Sequence, residues 1–167
     1  MTQTIADTVT RTGRAAGGFR ASRGLTENLQ RVLVNLIDLH LVGKQAHWNI
    51  VGPNFRDLHL QLDELVDDAR GFSDDVAERM RALDAVPDGR VVPVGEQSDL
   101  AAFPAGLVNT TDAVDLITAA LYAVTGAIRE VHDAVDAEDP TTADLLHTIL
   151  ERLEQLAWLI GSENRTA

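Results

Sequence analysis

Apolar residues recur at helical spacing along four stretches of this chain, and Gly, Pro and Asp mark the breaks between them. In the first stretch, Leu25, Leu29, Val32, Leu33, Leu36, Gly43, Ala46 and Ile50 predict a helix over about 25–51. Gly52 and Pro53 stop it, because the first frees the backbone and the second cannot continue a helix. In the second, Leu58, Leu62, Leu65, Ala69, Phe72, Val76 and Met80 predict a helix over about 55–83, with Asn54 as N-cap and Asp57 in the first turn. The third, over about 107–136, carries Val114, Ile117, Leu121, Val124, Ile128, Val131 and Val135, which alternate by three and four. The fourth opens at Asp139 and Pro140, an N-cap followed by Pro at the first helical position. It continues through Leu145, Ile149, Leu153, Leu156 and Ile160.

The segment between the second and third helices, 84–106, contains Pro87, Pro93 and Pro104. It is long for a connection in a compact domain, so a short helix is expected within it, near 99–103. Two helices, a long crossover and two more helices predict an all-α four-helix bundle over residues 23–167. Residues 1–22 lack an apolar period and read as a flexible tail. Arg11, Arg14, Arg20 and Arg23 make this end basic.

Composition narrows the chemistry. The net charge is −12, which opposes general nucleic-acid binding by the folded body and favours attraction of cations. The chain has no cysteine, which excludes disulfides, zinc–thiolate sites and iron–sulfur clusters. No uninterrupted apolar run reaches the roughly 20 residues of a membrane helix, so no membrane partner and a cytoplasmic location are expected.

Five residues carry the candidate chemistry: His47, His59, Asp63, Asp74 and Glu78. His59 and Asp63 are four apart, as are Asp74 and Glu78, so each pair stacks on a helix face. Asp63 and Asp74 are roughly 16 Å apart along a straight helix, too far to share one ion. Two copies of the helix lying antiparallel about a two-fold axis near Asp68 and Ala69 would bring each pair against the other. Imidazole and carboxylate without sulfur suit iron or manganese and accept zinc. Acidic pairs at this spacing also occur on plain solvated faces.

The segment 43–80 resembles the Dps family, the mini-ferritins or DNA-binding proteins from starved cells. The resemblance spans about residues 25–163. It is carried by AHWN at 46–49, FRDLH at 55–59, DEL at 63–65 and AER at 77–79. It implies a ferritin-like four-helix bundle and a homo-dodecameric cage. It implies ferroxidase centres at two-fold interfaces, where His47, His59 and Asp63 of one subunit meet Asp74 and Glu78 of its neighbour. Each centre would take up to two iron ions, Fe2+ oxidised to Fe3+ with hydrogen peroxide as the preferred oxidant, followed by mineralisation inside the cage. Other di-iron bundles place Glu-x-x-His on their helices, a motif this sequence lacks.

The resemblance also supplies weaker expectations. Asp139 and Asp144 become candidates for an ion-entry pore, and Trp48 for a radical scavenger. The family often binds DNA through a lysine-rich tail, but Lys44, in the first helix, is the sole lysine of this chain; DNA contact is left to the tail arginines, multiplied in a cage and salt-sensitive. A nucleoid-associated, DNA-compacting cage with little catalytic role is the alternative reading. His40 shares a helix face with His47 as an auxiliary ligand candidate. His132 and His147 show no evident partners and read as structural, and Trp158 reads as packing between subunits.

Overall fold

The computed structural model describes residues 18–166; Arg11 and Arg14 lie outside them. Among the described residues there are five α-helices and a two-stranded sheet. Helix α1 is Arg23–Asn49, strand β1 is Ile50–Val51, and α2 is Phe55–Ala82. Helix α3 is Val91–Gln97, β2 is Val108–Asn109, α4 is Thr110–Glu138 and α5 is Pro140–Gly161. The four long helices form the expected bundle, with α1 packed on α2, α4 on α5, and α1 joining the two hairpins. Leu36, Leu62, Met80, Leu121, Ile128 and Leu146, all fully buried, meet in one core.

Local chemistry sets the helix ends. Helix α1 starts two residues before its first apolar position because the Ser22 hydroxyl accepts the Leu25 N–H at 3.1 Å. It stops at Asn49, earlier than periodicity suggests. Ile50 and Val51 are extended and pair in parallel with Val108 and Asn109. Asn54 stands where an N-cap was expected, but its backbone is left-handed (φ 55°) and its side chain caps nothing. Its amide donates instead to Glu163 at 3.0 Å.

The crossover does contain a short helix, but at Val91–Gln97 rather than near 99–103. Pro93 falls in its first turn, where a missing N–H costs no hydrogen bond. The expected location is instead held open by a fully buried amide. Asn35 donates to the Asp99 carboxylate at 2.9 Å and accepts the Asp99 N–H at 2.8 Å. With that N–H committed to α1, the crossover is docked at this point.

Among the described helices, α4 has the length and mean hydropathy of a membrane span, 1.3 over its best window. A search for uninterrupted apolar runs overlooks such an average. Half of that window is buried within the bundle, against the neighbouring helices.

The topology gives the bundle two distinct ends. The β1–β2 ladder places the start of α4 beside the end of α1. At the far end, Ser22 Oγ donates to Glu138 at 2.6 Å, and the Arg79 guanidinium reaches Asp139 at 2.6 Å.

A candidate metal centre on the first helical hairpin

His47 lies in the last turn of α1, and His59 and Asp63 lie in the first turns of α2. The short β1 turn brings them together. One potential ligand atom from each falls within 4.8 Å of the others. The two imidazoles stack with ring centroids 3.7 Å apart. His59 Nδ1 is 3.1 Å from the His47 carbonyl oxygen, a contact that requires the proton on Nδ1. Nε2 of His59 is thereby left as the free donor for a metal. The Phe55 ring lies beside that imidazole, with centroids 5.2 Å apart and the planes tilted by 32°.

His47 is buried, and neither of its ring nitrogens has a hydrogen-bond partner. Its Nε2 lies 2.9 Å from Asp63 Oδ1, but outside hydrogen-bonding angles. A buried, unpaired nitrogen is costly unless a further group satisfies it. The donor set of two imidazoles and a carboxylate fits a borderline transition-metal ion.

Asp63 has a second neighbour that the sequence pattern did not reveal. The Lys44 ammonium lies 2.7 Å from the same Oδ1. The lysine first, then His47, holds the Asp63 carboxyl below its ordinary range, against the opposing effect of desolvation. A resident cation thus sits on the ligand that an incoming metal would use.

Tight packing fixes this geometry. A Cβ added at Gly43, one turn before His47, would come within 2.6 Å of Leu65 Cδ2 and 3.2 Å of Val66 Cγ2. Glycine here lets α1 and α2 approach closely where the ligands meet.

The other predicted residues stand elsewhere. Asp74 and Glu78 are exposed on the C-terminal half of α2, outside the three-residue cluster. His40 lines a separate cleft with Arg70 and Asp74. Burial first, then the charges of Arg70 and Lys44, lower its pKa. Trp48 is 68% and Trp158 57% exposed on this chain. Arg20 pairs with Asp84 at 3.5 Å, and Arg23 with Glu27 at 2.7 Å. Asp139 is buried. Desolvation raises its pKa, but the Thr142 hydroxyl and the Arg79 guanidinium outweigh that and hold it low. Asp144 is exposed.

His132 and His147 do have partners, namely each other, with Nε2 atoms 2.6 Å apart. The available signal was their near-equal distance from the turn at Asp139–Pro140. Residues so placed on a helical hairpin face one another across it.

Comparison with known proteins agrees with this architecture. Residues 26–165 match the ferritin-like domain family. The fine tangled pili major subunit of Haemophilus ducreyi is 37% identical over 136 residues, covering 81% of this chain and 72% of that protein. The DNA protection during starvation protein of Agrobacterium fabrum is 33% identical over 133 residues, covering 79% and 82%. The crystal structure of Dps92 from Deinococcus radiodurans superposes with a TM-score of 0.84 at 30% identity, covering 87% of this chain and 88% of that one. The chain therefore belongs to the ferritin-like superfamily and, within it, to the Dps family.

Proposed function

We propose that this protein is a ferroxidase and iron store that assembles as a dodecameric cage and protects DNA from iron-driven oxidation. The observation that carries the reading is the buried His47 ring, whose Nδ1 has no partner and whose Nε2 lies 2.9 Å from the Asp63 carboxylate, beside His59. Ferrous ions are the substrate. His47, His59 and Asp63 bind from one subunit, and Asp74 and Glu78 from its two-fold mate. Two Fe2+ each lose one electron to hydrogen peroxide, which takes up two protons and leaves as two waters. The resulting Fe3+ hydrolyses to mineral within the cage. The side chains act as ligands, and no protein nucleophile is required.

The family match and the names of the relatives support this role, as does the kinship to Dps structures for a cage assembly. For the ion path, Asp144 suits the role better than Asp139, whose carboxylate Arg79 already occupies. DNA contact, if made through the tail, includes Arg11, Arg14, Arg20 and Arg23.

The test is anaerobic addition of Fe2+ followed by peroxide, with ferric absorbance as the readout. Wild type is expected to oxidise iron fast, and an Asp63→Ala, Glu78→Ala variant slowly, with the assembly size unchanged. Equal, slow rates in both would refute the catalytic reading.

A further inference from the structure

At the other end of the bundle from the His47 cluster, α4 and α5 bring two imidazoles face to face. His132 Nε2 and His147 Nε2 are 2.6 Å apart, with ring centroids separated by 4.6 Å. Each ring has a carboxylate near its remaining nitrogen. Asp133 Oδ1 is 3.2 Å from His132 Nδ1, and Asp144 Oδ1 is 3.7 Å from His147 Nδ1. Carboxylates so placed favour a proton on Nδ1 and direct Nε2 outward as a donor, the arrangement that orients metal-binding histidines. Position along α4 separates the pair from the β1–β2 end by roughly 30 Å, so it is independent of the first cluster.

We propose that His132 and His147 form a second metal site, one that takes a divalent borderline cation such as zinc, cobalt, nickel or copper. Two nitrogens without sulfur select these ions over magnesium and calcium, which require oxygen cages. Two ligands about 2.0–2.1 Å from a tetrahedral ion stand about 3.3 Å apart, so the rings must part by about 0.7 Å. The His147 side chain is 56% exposed and free to make that movement. Its exposure also leaves the remaining coordination positions to water. Two nitrogens 2.6 Å apart need a proton between them. The cation takes that proton's place, and the proton moves to a ring Nδ1 or leaves.

Zinc titration calorimetry on the full-length protein tests the site. The background is a His47→Ala, His59→Ala, Asp63→Ala, Glu78→Ala variant, which leaves only Asp74 of the inter-subunit centre proposed above. The expected result is one zinc per chain. Adding His132→Asn and His147→Asn should abolish that zinc, with helicity and assembly size unchanged. His147→Gln alone, at the more exposed ring, should weaken binding at least about tenfold. Unchanged zinc stoichiometry in these variants would overturn the proposal. Lowered thermal stability with unchanged zinc binding would overturn it too, leaving the pair a hydrogen bond between helices.

Discussion

Replacing Gly43 by alanine sets two effects of known sign against each other. Alanine is favoured over glycine in a helix interior by about 0.8–1.0 kcal/mol. At Gly126 of α4, where nothing lies within 4 Å of an added Cβ, that gain should appear nearly intact. At Gly43 the new methyl would stand 2.6 Å from Leu65 Cδ2. Leu65 is fully buried, so its methyl cannot swing into solvent and the two helices must part. Overpacking of this kind costs about 1–3 kcal/mol. Gly43→Ala is therefore expected to be neutral to destabilising by about 2 kcal/mol, while Gly126→Ala stabilises. Urea denaturation at one fixed protein concentration measures both, since assembly makes stability concentration-dependent. The displacement also separates His47 from Asp63, so Gly43→Ala should weaken zinc binding at the first cluster and Gly126→Ala should not. Equal stabilisation by both substitutions would refute the claim that close approach at Gly43 sets the site.

Two further substitutions follow from the ion pairs. Lys44→Met removes the cation that occupies Asp63 Oδ1, so the first cluster should bind zinc more tightly, by titration. The Asp63 carboxyl has a lowered pKa when folded, so its contribution is present above the ordinary carboxylate range and is lost as pH falls through the lowered value. In Lys44→Met the acid-unfolding curve should lose that contribution at higher pH, and an unmoved curve would count against it. Arg79→Ala strands the buried Asp139 carboxylate and should destabilise by about 3 kcal/mol. The Arg79→Ala, Asp139→Asn double variant should recover part of this by urea denaturation, and no recovery would show that the loss lies elsewhere in Arg79 packing.

What could be read from the sequence followed the range of the interactions involved. The four long helices were legible because each buries an apolar stripe whose period is local. His47, His59 and Asp63 were legible because a tight turn and a four-residue spacing place them. Asn35 fixing the crossover was not, because its partner Asp99 is 64 residues away and polar side chains carry no period. Lys44 was visible as a lone lysine, but its seat on Asp63 depends on how closely two helices pack. The His132–His147 pair was legible only by counting outward from the Asp139–Pro140 turn, because periodicity alone leaves the α4–α5 register free. The acidic pair Asp74 and Glu78 stands exposed, outside the cluster of His47, His59 and Asp63, so a single chain does not show the pairing the spacing suggested.

The two-residue ladder between β1 and β2 has a consequence for how this protein can vary. His47, His59 and Asp63 all belong to one helical hairpin and lie within 17 consecutive residues. The ladder joins Ile50 to Val108 across 57 intervening residues that include α2 and the crossover. Lengthening a long loop adds little closure entropy, about 0.6 kcal/mol for each doubling. Insertions between Leu100 and Leu107 would therefore be absorbed by the latch without altering the spacing of the ligands. The exposed stretch around 104–107 can vary in length while the spacing of His47, His59 and Asp63 stays the same.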